Sequence, residues 1–420
     1  MSMQLPSTTP HEPKPILRAK LDLETKDTFD NKYKLSKQYA DVYFYRLTKL
    51  TQFFTTPSFA SPHTEEPIIA VSQCWFIGII FSHLSSKPNI IRELASLYHG
   101  DMPTPPDVYT GARDKIFIQP MHRQPIPMSG NIQELVTGCV VAVEGTMGDD
   151  GVFNVTSWAP PSFSPLPPLK GPSTNAKVLF ISGLSIEDDA FSNPSLGVLL
   201  DYISGYIGDS RNTALLVICG NSLKQPPLKQ FCSRITRPVI GTRSIFDFAK
   251  LIYSISRDIT VHLMPGESDP CSVALPQKSF HPGLLSIAKE SISNNSLVLH
   301  TNPAHFTTND GIDFIGTSGQ PIKDLIKYQT GQTPLELMCT TLEWRHLAPT
   351  APDTLPTHPF ADYDPFLLEK LPRVYFCGNT DYESTLYKGV RVFTVPKFLE
   401  SGQVVELDLA TLETRLISFK

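Results

Sequence analysis

The sequence predicts a multi-domain α+β protein in which an N-terminal helical segment and a small β-barrel precede a larger mixed α/β domain. Three observations carry this reading. The chain has 420 residues, 41% of them hydrophobic and 18% charged, which is too long for one small core and globular in composition. Its hydrophobic period changes from helical, to strand-like, to alternating strand and helix. A proline-dense stretch, residues 159–173, separates the last two regions. The 38 prolines favour loops and short strands over long helices.

Residues 1–28 mix Pro, Ser, Thr and Lys without periodicity and predict a flexible tail. Residues 29–62 form a helical segment, because Tyr39, Val42, Tyr43, Leu47, Leu50, Phe53 and Phe54 recur at helical spacing before Pro57 stops the pattern. That apolar face either packs within its own domain or meets a partner. The apolar run from Ile68 to Phe81 contains Ser72 and Gln73 and is shorter than the ~20 residues of a membrane span, so it reads as a buried strand. Residues 63–160 carry strand-like runs, and Gly148, Asp149, Asp150 and Gly151 mark a hairpin between two of them. A small barrel such as an OB-fold fits, as do other small β domains. Residues 161–173 should be a stiff, extended connector. From 174 to 420 strands and helices alternate, with helical spacing in Leu196, Leu199, Leu200 and Ile203 and again in Ile245, Phe248, Leu251, Ile252 and Ile255. Trp75, Trp158 and Trp344 read as core residues, with Trp158 nearest a domain junction.

Charge and cysteine content exclude several classes. The net charge of -5, without a run of Lys or Arg, is not that of an autonomous DNA binder. In the barrel region Lys87, Arg92, Arg113, Lys115 and Arg123 are balanced by acids, a weak basis for a single-strand groove. Cys74, Cys139, Cys219, Cys232, Cys271, Cys339 and Cys377 are odd in number and dispersed, which predicts neither a disulfide framework nor a zinc ribbon and fits a reducing compartment. The N-terminus lacks a signal-peptide pattern, so secretion is not expected.

The chemistry-bearing segments are apolar runs that end in tight turns: KVLFISGL, LLVICGNSL, DITVHLMPGESDP, SLVLHTNPAH and DFIGTSGQ. Loops after strand ends are where α/β folds place ligands, so these turns predict a shared rim. Their order and spacing resemble the calcineurin-like metallophosphoesterases, whose motifs run D-x-H, G-D, G-N-H-D or E, a later His, and G-H-x-H. Here Ser182 and Leu184 flank Gly183 in the first motif, and Asn221 stands at the bridging carboxylate of the second. Glu267, Ser268 and Asp269 follow Gly266 in the third, His300 lies near the fourth, and Thr317 and Gly319 replace both His of the fifth. The glycines persist while the ligands are replaced. Asp269, Glu267 and His300 either hold one metal ion weakly or cap turns and bond loop backbone. Arg345 and His346 read either as a phosphate contact or as a buried structural pair, with Arg345 on a carboxylate and Asp353 closing a turn.

The departures also resemble one branch of that superfamily. SGL, GN, MPGESDP with a following LPQ, TNP, GTSGQ, the stretch from Arg345 to Leu355 and YFCGNT are similar to the DNA polymerase delta B-subunit family, over roughly residues 30–400. This resemblance implies an OB-fold domain packed on a phosphoesterase-like domain without catalytic residues, metal or cofactor. It implies a scaffold that binds the cysteine-rich C-terminal region of the catalytic subunit and a third accessory subunit, in the nucleus. The sliding clamp would be reached indirectly, DNA weakly or indirectly, and a membrane not at all; the surface that binds the partners is not legible. An atypical metal-dependent phosphoesterase and an OB-fold single-stranded DNA-binding subunit are the alternatives.

Overall fold

The computed structural model describes residues 18, 21, 23–29, 34–54, 59, 61–64, 73–87, 106–161, 163–168, 175–187, 193–225, 229–231, 234–236 and 240–420. A short strand, β1 (Leu23–Thr25), precedes helix α1 (Ala40–Thr51). The helix is shorter than the apolar spacing suggested: Tyr39 is its N-cap, Phe53 and Phe54 lie beyond its end, and Pro57 is outside the described residues. Its buried stripe is Val42, Arg46, Leu47 and Leu50, so a charged residue sits in the middle of the face.

Five strands follow: β2 (Cys74–His83), β3 (Lys115–Pro120), β4 (Ile126–Gly130), β5 (Val140–Met147) and β6 (Phe153–Ala159). They close in the order β2-β3-β4-β6-β5, with a parallel β4–β6 pair, which is the OB-fold architecture. The expected hairpin joins β5 to β6, with Gly148 N donating to Val152 O at 2.8 Å and Gly151 at φ +76°. Of the apolar run from Ile68, residues 73 onward are described and lead into β2. Trp344 is fully buried, whereas Trp75 and Trp158 are half-buried.

The remaining chain alternates as expected. It runs through β7 (Lys177–Ile181), α2 (Pro194–Ser204), β8 (Thr213–Cys219), β9 (Lys229–Phe231), β10 (Arg234–Thr236), α3 (Thr242–Asp258) and β11 (Thr260–Met264). Next come α4 (Lys289–Ser293), β12 (Leu297–Leu299), β13 (Ala304–Thr308), β14 (Asp313–Thr317), α5 (Gln320–Leu325) and α6 (Pro334–Glu343). The last elements are β15 (Val374–Gly378), β16 (Ser384–Tyr387), β17 (Val390–Val395), α7 (Phe398–Ser401), β18 (Gln403–Asp408) and β19 (Thr414–Ser418). Two six-stranded sheets result, ordered β12-β11-β8-β7-β18-β19 and β1-β13-β14-β15-β17-β16. They pack face to face through Phe180, Phe306, Phe314, Phe376 and Phe393. Helices α2 and α3 cover the outside of the first sheet through Leu196, Leu199, Ile203, Phe248, Leu251 and Ile255. The outside of the second sheet packs on α5, α6 and the barrel in one continuous core that includes Phe76, Phe153, Leu337, Trp344 and Tyr375. This is the larger mixed α/β domain that the alternating runs predict, built as two sheets flanked by helices.

Two segments depart from expectation. Residues 1–28 read as a flexible tail, yet Leu23–Thr25 pair antiparallel with β13, Lys26 bridges Asp313 at 3.0 Å and the Arg18 guanidinium bonds the carbonyls of Ser210 and Thr213 at 2.7 and 3.0 Å. Three residues on a sheet edge have their hydrogen bonds supplied by the neighbouring strand, which composition does not register. The expected connector is extended but not free-standing: Leu166 N donates to Lys388 O at 2.9 Å and Arg373 Nη1 to Pro167 O at 2.9 Å. Residues 169–173 of it lie outside the described residues.

Helix, barrel and sandwich meet at Arg46. Its Nε bonds the Asp364 carboxylate at 2.8 Å, and both side chains are fully buried. The Nη1 group donates to Gly138 O on the barrel and to Pro349 O, and Nη2 donates to Ala351 O, at 2.8–3.0 Å. Gly138 has φ +88°, and a Cβ there would lie 2.1 Å from Pro349 O and 2.5 Å from Arg46 Nη1. Asp364 also bonds His346 Nε2 at 2.9 Å. Burial by itself would raise the Asp364 carboxyl, but Arg46 and His346 outweigh it and hold it well below the usual carboxylate range. A depressed folded pKa means that this stabilisation is full above the unfolded value of about 4 and disappears as the pH falls below it. Arg46→Ala leaves Asp364 buried without its cation and should lower unfolding stability by about 3–5 kcal/mol in urea at neutral pH, with the difference from wild type shrinking below pH 4. A loss under about 1 kcal/mol would mean that the junction does not depend on this pair.

Candidate functional site

In the first sheet β7, β8 and β11 run parallel, and in the second β14, β15 and β17 do. The turns after β7, β8, β11, β14 and β15 meet at one rim, as the repeated strand–turn pattern predicts. What fills the rim is mostly the protein's own backbone. Ser182 is fully buried; its hydroxyl lies 3.0 Å from Val395 O and accepts from Asn379 N at 2.9 Å. Leu184 is buried in the apolar cluster beneath α2 and α3. Asn221, at φ +55°, accepts from Ser268 N at 3.1 Å, and the Ser268 hydroxyl donates to Leu223 O at 2.7 Å. Asp269 is buried; its two oxygens accept from Leu223 N at 2.9 Å and Gly266 N at 2.8 Å. Burial outweighs these backbone donors and pushes the Asp269 carboxyl up to about 6. Thr317 is buried, and Gly319, at φ +107°, is the N-cap of α5, where a Cβ would lie 2.6 Å from Gly378 O.

Two of the expected residues stand apart. Glu267 is exposed at the mouth, paired with Lys323 at 2.8 Å. His300 is buried against Phe306, its Nε2 3.0 Å from His262 Nδ1, and burial lowers its pKa to about 4. The two imidazoles are thus a neutral pair that share one hydrogen bond. Among the described residues, no three His, Cys, Asp or Glu side chains converge to hold a metal ion. Arg345, read as a phosphate or carboxylate contact, donates to Leu368 O and Glu369 O at 3.3 and 3.1 Å and lies against the Phe53 and Phe163 rings. Asp353 receives Lys87 and Tyr328.

Sequence reasoning missed Asn379 as a rim residue. Its Nδ2 donates to Ser318 O at 2.9 Å, and its backbone meets Ser182, so it ties the turns after β15, β14 and β7 together. The signal was available, because Cys377-Gly378-Asn379 repeats Cys219-Gly220-Asn221 and both asparagines take positive φ, +62° and +55°. Above these two turns lies a cavity of about 480 Å³ lined by Asn221, Ser318, Gly319 and Asn379, with the Glu267–Lys323 and Lys397–Glu400 pairs at its mouth. Amides, hydroxyls and carboxylates held by lysines can hydrogen-bond but are poor ligands for Mn²⁺, Zn²⁺ or Fe, and Asp381 is a single further carboxylate in the lining.

The chain that folds into this closed five-stranded barrel and two-sheet domain falls in the class of DNA polymerase small subunits. Residues 178–385 match the family model of the DNA polymerase alpha/epsilon B-subunit, and residues 38–158 match that of the DNA polymerase delta subunit OB-fold domain. The DNA polymerase delta small subunit of Oryza sativa subsp. japonica is 32% identical over 413 residues, covering 91% of this chain and 93% of its own. That of Saccharomyces cerevisiae is 30% identical over 393 residues, covering 82% and 78%. The DNA polymerase II small subunit of Pyrococcus horikoshii is 25% identical over 275 residues, covering 62% and 43%. The chain belongs to the family of DNA polymerase delta small subunits.

Asp269 holds the turns after β8 and β11 together, and an amide there would face one backbone N–H with an NH₂ group. Asp269→Asn should therefore lower stability by about 1–3 kcal/mol at pH 7.5. The raised carboxyl pKa fixes the sign of the pH effect: ionisation above about 6 carries an energetic penalty, so the wild type should gain stability as the pH falls through 6. The Asn variant should lack that step in a urea-denaturation series, and a step of equal size in both proteins would refute the assignment.

Proposed function

We propose that the protein is a non-catalytic scaffold subunit of the nuclear DNA polymerase delta complex. In this reading it binds the cysteine-rich C-terminal region of the catalytic subunit and a further accessory subunit, reaches the sliding clamp indirectly and contacts DNA weakly. The rim carries the reading: Ser182, Asn221 and Ser268 stand at ligand positions of a two-metal hydrolase, and each is hydrogen-bonded to neighbouring loop backbone. A two-metal mechanism needs a bridging carboxylate to lower the pKa of the attacking water and to clamp the phosphoryl oxygens, and Asn221 is an amide. Of the carboxylates that line the cavity, Glu267 and Glu400 are each neutralised by a lysine, which leaves Asp381 alone, short of the several ligands a two-metal site needs. Single-strand binding through the barrel is disfavoured in the same way. Lys115 opens β3 while Arg123 lies beyond its other end, and Lys87 is held by Asp353.

The purified protein should show no Mn²⁺-dependent hydrolysis of bis-p-nitrophenyl phosphate and no stoichiometric metal by elemental analysis. Near-stoichiometric metal that disappears in Glu267→Ala and His300→Ala variants would restore the phosphoesterase reading. Affinity for single-stranded DNA should stay in the non-specific range, Kd about 10⁻⁴ to 10⁻⁶ M at physiological salt. Co-expressed with the catalytic subunit, the protein should co-purify through that subunit's C-terminal region. A monodisperse lone protein that captures no catalytic subunit would count against the scaffold.

A further inference from the structure

The two six-stranded sheets end in four edge strands, β1, β12, β16 and β19. Proteins ordinarily blunt such edges, because an open row of main-chain N–H and C=O groups is a template for another chain. Three of the edges here are blunted. β1 and β12 have three residues each, and β1 carries Glu24 and leads into Lys26. β16 has four and runs straight into the two-residue turn of Lys388 and Gly389. β19 has five residues, no proline and one charged side chain, Arg415.

The register of β19 defines what its edge offers. Phe419 N donates to Gly402 O at 2.8 Å and Asp408 N to Glu413 O at 3.0 Å, so the hydrogen-bonded pairs between them are Val404 with Ile417 and Glu406 with Arg415. Thr414, Leu416 and Ser418 alternate with these and direct their N–H and C=O groups away from the sheet. Tyr382 Oη donates to the Thr414 carbonyl at 3.3 Å, while the main-chain groups of Leu416 and Ser418 have no partner among the described residues. The side chains add a second signal. Leu416 lies opposite Val405, which faces the space between the sheets, and Leu386 of β16 shares the face of Ser384, opposite Phe393. The two edges meet where Thr414 Oγ1 donates to Ser384 Oγ at 2.7 Å. The sandwich is therefore open on this side, with Leu386 58% and Leu416 37% exposed on inward faces. On the outer face Lys177 and Arg415 both bond Glu406 Oε1, at 3.0 and 2.6 Å, so two cations share one carboxylate.

We infer that the β19 edge receives an extended strand from a partner polypeptide, with an apolar side chain over Leu416 and Leu386 and a carboxylate facing Arg415. Donors and acceptors that recur at every second residue match another extended main chain, and the alternating side chains of that chain supply the selectivity. A second copy of this protein does not meet the charge requirement. An antiparallel pair centred on Leu416 sets Arg415 opposite Ile417 of the second copy and diagonally beside the second copy's Arg415, with no carboxylate between them. The partner is a subunit of the polymerase complex, so the edge assignment rests on the scaffold reading.

The test compares amide hydrogen exchange, resolved to single residues by mass spectrometry, in the lone chain and in the co-expressed polymerase complex. In the lone chain the Leu416 and Ser418 amides should exchange at least about tenfold faster than those of Arg415 and Ile417, and in the complex they should slow by a similar factor. Two variants probe the same edge. Leu416→Lys places a charge on the inward face, and Leu416→Pro removes an N–H that the β18 ladder does not use. Leu416→Lys should melt at the wild-type temperature, and both should bind the partner about tenfold or more weakly. Slow exchange of Leu416 and Ser418 in the lone chain would overturn the open edge. A complex in which those two amides exchange as fast as in the lone chain, or which Leu416→Lys joins with wild-type affinity, would overturn the edge assignment and leave the scaffold reading standing. Failure of any complex to form would overturn both.

Discussion

A single buried guanidinium organises this molecule. Arg46 projects from an N-terminal helix into the seam between two domains and spends its donors on one carboxylate and three main-chain carbonyls drawn from both of them. Because a buried ionised side chain needs a counter-charge and hydrogen-bond partners, four of the five guanidinium N–H groups hold the helix, the barrel loop at Gly138 and the 349–351 turn in one relative position. Apolar packing reinforces the constraint: residues of the barrel and of the second sheet belong to the same continuous core. The two domains therefore share one core, although a connector separates them along the chain.

The rim follows from the same economy of polar groups. The two sheets bring several strand ends together at one rim, and the backbone groups of those turns need partners. Asn221, Asn379, Ser182 and Asp269 supply them, each bonded to a neighbouring turn. The glycines remain because the turns approach too closely for a Cβ: one at Gly220 would lie 2.3 Å from Ser318 Oγ, and one at Gly266 would lie 2.4 Å from Asn221 N. The geometry of the rim is held by two amides, a hydroxyl and one carboxylate.

Much of this was legible from residues alone. The alternating segments, the Gly148–Gly151 hairpin, the helices over 194–204 and 242–258 and the rim turns all carry strong local signals, in periodicity or in positive-φ turn chemistry. The failures share a cause, which is that they depend on long-range partners. Arg46 falls on the apolar face of its helix without a local partner, and its role rests on Asp364, 318 positions away. His300 aligns with a ligand motif, yet its ring turns to His262 on the adjacent strand. The Leu23–Thr25 strand has no periodicity of its own and exists because β13 offers it an edge. Asn379 is the exception, since its tripeptide repeats the one that ends at Asn221 and needed no distant partner to be noticed.

That edge strand has a consequence for how the protein behaves among its own copies. Without β1, the five residues of β13 would present an open row of amides and carbonyls, a template on which another chain can lay a strand. Three residues, with Glu24 and the following Lys26 exposed, satisfy the row and then end it, since so short and charged a strand is a poor template for the next. A stretch that reads as featureless leader thus separates a sheet that terminates from one that could propagate into fibres.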